Sequence, residues 1–267
     1  MRITEAAPAK LNLALHVRGK LPDGRHAIET IFAFCEHGDE LVAQSANDLS
    51  LRLAGPFAAA LPAQEDNLVL RAARALRDAA GVTAGAALTL DKRLPVASGI
   101  GGGSADAAAT LRILSELWNI SPVHAAAVAP TLGSDVPACL VSQNSRGEGA
   151  GDVLSQVDLD LAGTPVLLVN PMVPLATGDV FARWDGEDHG ELDDWRMGRN
   201  DLYPAARILV PQLGGVMQFL DDLRGCQIAR MSGSGATCFA MFDSELARDA
   251  AASLIPDHWW SLATRLR

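Results

Sequence analysis

Four glycines fall within five positions at Gly99-Ile100-Gly101-Gly102-Gly103, followed by Ser104 and an alanine-rich run through Ala109. Glycine carries no Cβ and takes positive φ at little cost, so such a stretch lets backbone N–H groups close around an oxygen-rich anion. Ala107, Leu111, Leu114 and Trp118 recur at steps of four, three and four, which predicts a helix with one apolar face just after the glycines. The first-turn N–H groups of that helix lack intrahelical partners and its dipole is positive at that end, so phosphate is the expected ligand. A Gly-rich turn before a helix also serves as a plain connector, and spacing alone leaves both readings open. Two schemes are excluded: no Gly-Lys-Ser/Thr follows the glycines, and Ser104 stands where G-x-G-x-x-G needs its last glycine.

Other residues of chemical interest are scattered along the chain. Lys10 and Asn12 lie in the alternating stretch 10–17, where Leu11, Leu13, Leu15 and Val17 line one face of a half-buried strand. A solvated opposite face accounts for Lys10 and Asn12 without any function. His26 follows the turn Pro22-Asp23-Gly24, and an isolated histidine signals no site by itself. Lys92 and Arg93 precede the glycines, as they would in a nucleotide site or in an ordinary charged loop. Asp135 sits in the corner Ser134-Asp135-Val136-Pro137, where a helix cap is the plain reading. The corner Met231-Ser232-Gly233-Ser234-Gly235-Ala236-Thr237 suits either close backbone approach to a ligand or a tight hairpin.

The elements that must position these residues follow from periodicity and punctuation. Strands are predicted at 28–34, 49–53, 86–91, 165–170 and 238–242, with Gly55, Pro56 and Pro62 marking a loop. A helix capped by Asp66 or Asn67 runs to about residue 80 and stops at Gly81; another opens at Ser121-Pro122 and ends near 132. A helical turn at 177–184 carries Phe181, and further helices begin at Asn200 and cover 213–223. Residues 185–194 hold six acids and read as a mobile surface loop. The glycine-rich, acidic stretch 147–152 reads as the end of a first domain, dividing the chain into 1–155 and 156–267.

Composition narrows the partners. The 267 residues, 49% hydrophobic and 20% charged, suit an ordinary globular protein of one or two domains. A formal charge of −10 disfavours nucleic acid and acidic membrane surfaces, so an anionic substrate must be met by locally placed cations and N–H groups. That points to a small ligand in a pocket. Cys35, Cys139, Cys226 and Cys238 stand far apart and read as reduced thiols, and with no membrane span or secretory segment the expected compartment is the cytoplasm.

Taken together, Pro8-Ala9-Lys10-Leu11-Asn12-Leu13, the stretch 95–109 and the corner 231–237 resemble the three ordered motifs of the GHMP small-molecule kinases. Residues 22–26, 133–137 and 200–202 are similar to the branch that phosphorylates the 2-hydroxyl of a cytidine-diphosphate-linked methylerythritol in non-mevalonate isoprenoid synthesis. The resemblance spans about residues 8–242. It implies a two-domain α+β GHMP-kinase-like fold with the active site in the inter-domain cleft, ATP and Mg2+ as cofactors, and a monomer or homodimer. Kinases for another alcohol, of homoserine or mevalonate type, and a non-catalytic ATP-binding sensor are the alternatives.

The resemblance also distributes roles. Lys10 and Asp135 match the catalytic pair, a carboxylate to orient or accept the hydroxyl proton and an ammonium to keep it ionised. Asn67, Lys92, Pro95, Gly99, Ile100, Gly101, Gly102, Gly103 and Ser104 match the ATP site. Asn12, Arg25, His26, Thr177, Phe181, Gly233 and Ser234 match the acceptor site. Three positions depart from the family pattern: Arg25 replaces a usual Tyr, Ile100 a usual Leu, and Ser134 a usual Ala. A guanidinium can stack on a base as an aromatic ring does, so Arg25 and Phe181 would bracket the cytosine.

Overall fold

The computed structural model describes residues 1–61 and 66–267; the predicted loop punctuation at Pro62 lies outside the described residues. In chain order the elements are β1 (Arg2–Lys20), β2 (His26–Ala46), β3 (Leu49–Ala54), α1 (Leu68–Ala80), β4 (Gly85–Asp91), α2 (Gly102–Leu117), α3 (Pro122–Leu132) and α4 (Val136–Val141). There follow β5 (Ser145–Glu148), β6 (Val153–Gln156), β7 (Pro165–Asn170), α5 (Thr177–Ala182), α6 (Tyr203–Leu209), α7 (Gln212–Asp221), β8 (Cys226–Met231), β9 (Cys238–Phe242), α8 (Glu245–Ala252) and β10 (Trp260–Arg265). They form two compact units that interleave along the chain. The first holds Met1–Ala9, His37–Val96 and Gly101–Ser142; the second holds Lys10–Glu36, Ala97–Ile100 and Gln143–Arg267. This is a different partition from a single cut at 155/156.

In the first unit, residues 40–46 of β2 pair antiparallel with β4, and β3 pairs parallel with β4. Leu88 and Leu90 alternate into the core, as the period of two requires. The side chain of Asn67 accepts from the Val69 N–H at 2.9 Å to start α1, and Gly81 ends it in the left-handed region. Ser121 caps α3, with Pro122 at its first position. α2 packs against α1, α3 and α4. The predicted single apolar face of α2 is too narrow a description: residues 105–111 and 113–115 are all buried. Alanine allows neighbours to approach from every side, so small residues bury a helix all round where larger ones would define a stripe.

In the second unit, Thr30 to Phe32 of β2 pair with β5, and β5 pairs with β6. The stretch 147–152, read from sequence as the end of a domain, includes the turn of this β5–β6 hairpin. A four-stranded antiparallel sheet has the order β10-β7-β9-β8. Leu167, Val169, Ala240 and Phe242 from its strands join Ala206 of α6 and Leu213, Val216 and Leu220 of α7 in one core. The corner 231–237 is the hairpin connection between β8 and β9, with Met231 opposite Cys238. The acidic segment 185–194 is irregular, as expected, yet it is pinned: Leu192 is buried and its N–H donates to Glu29 at 2.6 Å.

β1 corrects a further expectation. Residues 7–17 are buried on both faces, so Lys10 and Asn12 do not lie on a solvated face. Burying an ammonium and an amide requires hydrogen-bond partners, and these define the candidate site. Among the described residues, no helix is long and apolar enough to cross a membrane.

Candidate active site

In the second unit, Lys10 is 3% exposed and its ammonium donates to Asn12 Oδ1 at 2.8 Å while lying 4.9 Å above the Phe32 ring. Asn12 Nδ2 donates to Thr30 Oγ1 at 2.8 Å, and that hydroxyl donates to the Ala14 carbonyl at 2.7 Å. The Asn12 N–H donates to Ser232 Oγ at 3.0 Å, and Ser232 Oγ donates to the Gly99 carbonyl at 3.0 Å. The Lys10 N–H reaches the Ile100 carbonyl at 2.9 Å. The start of the glycine stretch, β1 and the β8–β9 turn are therefore joined by one polar network.

Two glycines explain why this junction closes. Gly99 has φ +77°, and a Cβ there would stand 2.5 Å from the Ser232 carbonyl oxygen and 2.7 Å from that of Gly235. Gly233 has φ +55°, and a Cβ there would lie 2.9 Å from the Gly99 carbonyl oxygen and 3.2 Å from Asn12 Oδ1. Asn200 Nδ2 holds the turn from behind through the Met231 and Gly233 carbonyls, each at 2.8 Å, while its Oδ1 accepts from the Leu202 N–H.

Beside the turn, Thr177 Oγ1 and Ser234 Oγ are 2.9 Å apart. His26 stacks on Phe181 with ring centroids 4.8 Å apart, and Trp184 meets His26 edge-on at 5.5 Å. His26 Nε2 and Trp184 Nε1 are buried without a hydrogen-bond partner among the described residues. Burial, and then the nearby Lys20 cation, lower the His26 pKa, so a neutral imidazole is favoured. Arg25 stands apart from this cluster: its exposed guanidinium pairs with Asp23 at 2.7 Å and Asp152 at 3.0 Å.

The first unit carries the other half of the sequence-derived set. Gly101 is the N-cap of α2, with φ +65° and no side chain to satisfy the first turn formed by Gly102, Gly103 and Ser104. A 16-residue helix presenting uncapped glycines is an anion site in form. Beneath it, Lys92 is 1% exposed and its ammonium donates to Asp39 at 2.5 Å and to Asp106 at 2.7 Å. Asp39 Oδ1 also accepts from the Arg93 and Leu94 N–H groups at 2.6 and 2.8 Å. Pro95 is buried just beyond, and Asn67 is occupied in capping α1. Asp135 precedes α4, half-buried, with no side-chain capping bond to that helix, so the plain cap reading does not describe it.

Several participants escaped sequence reading. Asp106 and Ser232 lie inside the motifs, where the glycines carry the signal. Asn200 lies in the stretch 200–202 that carries the resemblance, but its hold on the 231–237 turn has no local signal. Thr30, Asp39 and Trp184 have no local signal; only tertiary contacts reveal them. Among the described residues, no group of three or more His, Cys, Asp or Glu side chains could hold a metal ion.

Residues 67–143 match the description "GHMP kinases N terminal domain", and residues 183–259 match "GHMP kinases C terminal". The chain is 53% identical to a 4-diphosphocytidyl-2-C-methyl-D-erythritol kinase of Rhizorhabdus wittichii, with 100% of this chain and 96% of that protein covered. It is 48% identical to the kinase of the same name from Novosphingobium aromaticivorans, over 100% and 94% of the two chains. A solved structure titled as 4-(cytidine 5'-diphospho)-2C-methyl-D-erythritol kinase superposes with TM-score 0.85 at 31% identity, covering 100% of this chain and 99% of that one. A homoserine kinase from Cytophaga hutchinsonii shares the fold at TM-score 0.71 and 18% identity, over 99% and 95%. With two α+β units, a glycine-capped helix and a matching sequence along its whole length, the chain belongs to the GHMP kinases, in the family of 4-diphosphocytidyl-2-C-methyl-D-erythritol kinases.

Proposed function

We propose that the protein transfers the γ-phosphoryl group of ATP to the 2-hydroxyl of 4-diphosphocytidyl-2-C-methyl-D-erythritol, a cytoplasmic step of non-mevalonate isoprenoid synthesis. The observation that carries this reading is the 53% identity, across the full chain, to a kinase of that name. Phosphoryl transfer asks chiefly for positioning and charge stabilisation, so direct in-line transfer without a covalent enzyme intermediate suits this side-chain set. In this reading Asp135 orients the hydroxyl or accepts its proton, and the Lys10 ammonium stabilises the oxygen as it loses that proton. Asn12 restrains the Lys10 side chain.

Gly99, Ile100, Gly101, Gly102, Gly103 and Ser104 hold the phosphates by backbone N–H groups, and Asn67, Lys92 and Pro95 form the neighbouring nucleotide wall. Asn12, Thr177, Gly233 and Ser234 meet the acceptor, with His26 and Phe181 at its base. The unpartnered His26 Nε2 and Trp184 Nε1 suit a polar base edge. Stacking of His26 on Phe181 gives the base an aromatic neighbour, and Arg25 covers it only after leaving Asp23 and Asp152. A Mg2+ ion would arrive with the nucleotide phosphates, whose charge it would neutralise.

The test is an ADP-release panel. Turnover should be fastest with the cytidylyl substrate and at background with homoserine or mevalonate. Equal or greater turnover with either of those alcohols would overturn the substrate, and ADP release that needs no acceptor would overturn the kinase reading.

A further inference from the structure

Two carboxylates and one ammonium share a buried space beneath the first turn of α2. The side chains of Asp39, Lys92 and Asp106 are 0%, 1% and 3% exposed. Lys92 Nζ is close enough to the helix start that a Cβ on Gly102 would lie 2.9 Å from it. With all three groups ionised, the cluster carries one net negative charge, and it would hold that charge against the face where an anion is to bind. A net negative charge opposes phosphate binding there; a neutral cluster does not.

The hydrogen bonds identify the group that resolves this conflict. Asp39 accepts three, from Lys92 and from the Arg93 and Leu94 N–H groups. Asp106 accepts one, on Oδ2, and its buried Oδ1 has no partner among the described residues. The charged groups facing it are Lys92 from the segment after β4 and Asp39 from β2. The buried residues of α1, α3 and α4, which pack on α2, carry no charge. Burial first, and the neighbouring Asp39 charge as well, push Asp106 up to about 7 against the opposing pull of Lys92. The Lys92 ammonium is raised as well: burial alone would lower it, but the two carboxylates outweigh burial.

We propose that Asp106 is a positioning residue for the nucleotide's phosphates, acting through Lys92 and Asp39 and taking up one proton from solvent when the phosphates bind. The proposal rests on the kinase reading. It makes nucleotide affinity rise as pH falls through neutrality, because binding favours the protonated, neutral cluster.

The experiment is calorimetry of a Mg2+-bound, non-hydrolysable ATP analogue with wild type and Asp106→Asn across about pH 6 to 9, in buffers of different ionisation enthalpy. Wild type should lose about tenfold in affinity across that range and should take up protons on binding. Asp106→Asn, isosteric and permanently neutral, should bind at high pH as wild type does at low pH, with proton uptake reduced to that of the analogue alone. Titration of the analogue itself is common to both proteins and cancels in the comparison. The side-chain carboxyl 13C shift of Asp106 in wild type supplies a readout independent of the variant's folding: saturating analogue should raise its titration midpoint. An unchanged midpoint, or equal pH profiles in the two proteins, overturns the proposal. No analogue binding at any pH overturns the kinase reading and this inference with it.

Discussion

Gly99 and Gly103 belong to one glycine stretch, yet replacing each by alanine should have opposite effects on stability. A Cβ on Gly99 would stand 2.5, 2.7 and 2.8 Å from backbone atoms of Ser232 and Gly235, at φ +77°. Holding an L-residue in that left-handed region costs about 1–2 kcal/mol, and overpacking against backbone atoms adds about 1–3. The expected loss for Gly99→Ala is therefore about 2–5 kcal/mol, and at about 2–4 °C per kcal/mol the melting temperature should fall by about 4–20 °C. Gly103 lies inside α2, where a Cβ would meet only Leu68 Cδ2 at 3.9 Å. Helical Gly→Ala is favourable by about 0.5–1 kcal/mol, so Gly103→Ala should melt at or slightly above wild type. The same substitution should raise KM for ATP, because the new methyl stands on an exposed residue of the turn proposed to hold the phosphates. Thermal melts and ATP kinetics on both variants decide the matter. A Gly99→Ala melt within about 1 °C of wild type, or a larger drop for Gly103→Ala, would refute the steric limit at Gly99 and the open space at Gly103.

Further perturbations separate structure from chemistry. Lys92→Met leaves two buried carboxylates uncompensated and should cost about 3–5 kcal/mol, with the double variant Lys92→Met/Asp106→Asn recovering part of it in urea unfolding; unchanged stability with a raised KM for ATP would make Lys92 a nucleotide contact alone. Asp106 takes up its proton more readily folded than unfolded, so its contribution to stability declines as pH rises from about 4 to about 7, and Asp106→Asn should flatten that part of the profile. Ser232→Ala deprives the buried Asn12 N–H of its acceptor, costing about 1–3 kcal/mol and raising KM for the acceptor alcohol, as melts and initial rates would show. Asp135→Asn should abolish most turnover while nucleotide affinity, measured by calorimetry, stays near wild type. Burial pushes the Cys35 thiol up to about 12, so iodoacetamide should spare it at neutral pH until the protein unfolds.

Local signals in the chain were enough for the elements with strong periodicity or caps. Asn67 and Gly81 bound α1, Ser121-Pro122 opens α3, and the apolar runs at 165–170 and 238–242 are strands at those same limits. The glycine stretch signals the uncapped start of α2, because φ > 0 and close approach are requirements of single residues. By contrast, the full lengths of β1 and β2, the short β5 and β6 and the edge strand β10 depend on pairing partners far along the chain, which periodicity does not name.

For the site, residue type and motif order singled out Lys10, Asn12, Gly99, Gly233 and Ser234, but not what holds them. Only the folded chain joins Asn12 to Thr30 and to Ser232, 18 and 220 residues away, and places two carboxylates on the Lys92 ammonium. A buried polar group is stable only where partners reach it. Those partners are chosen by distance in space, which a linear pattern does not contain.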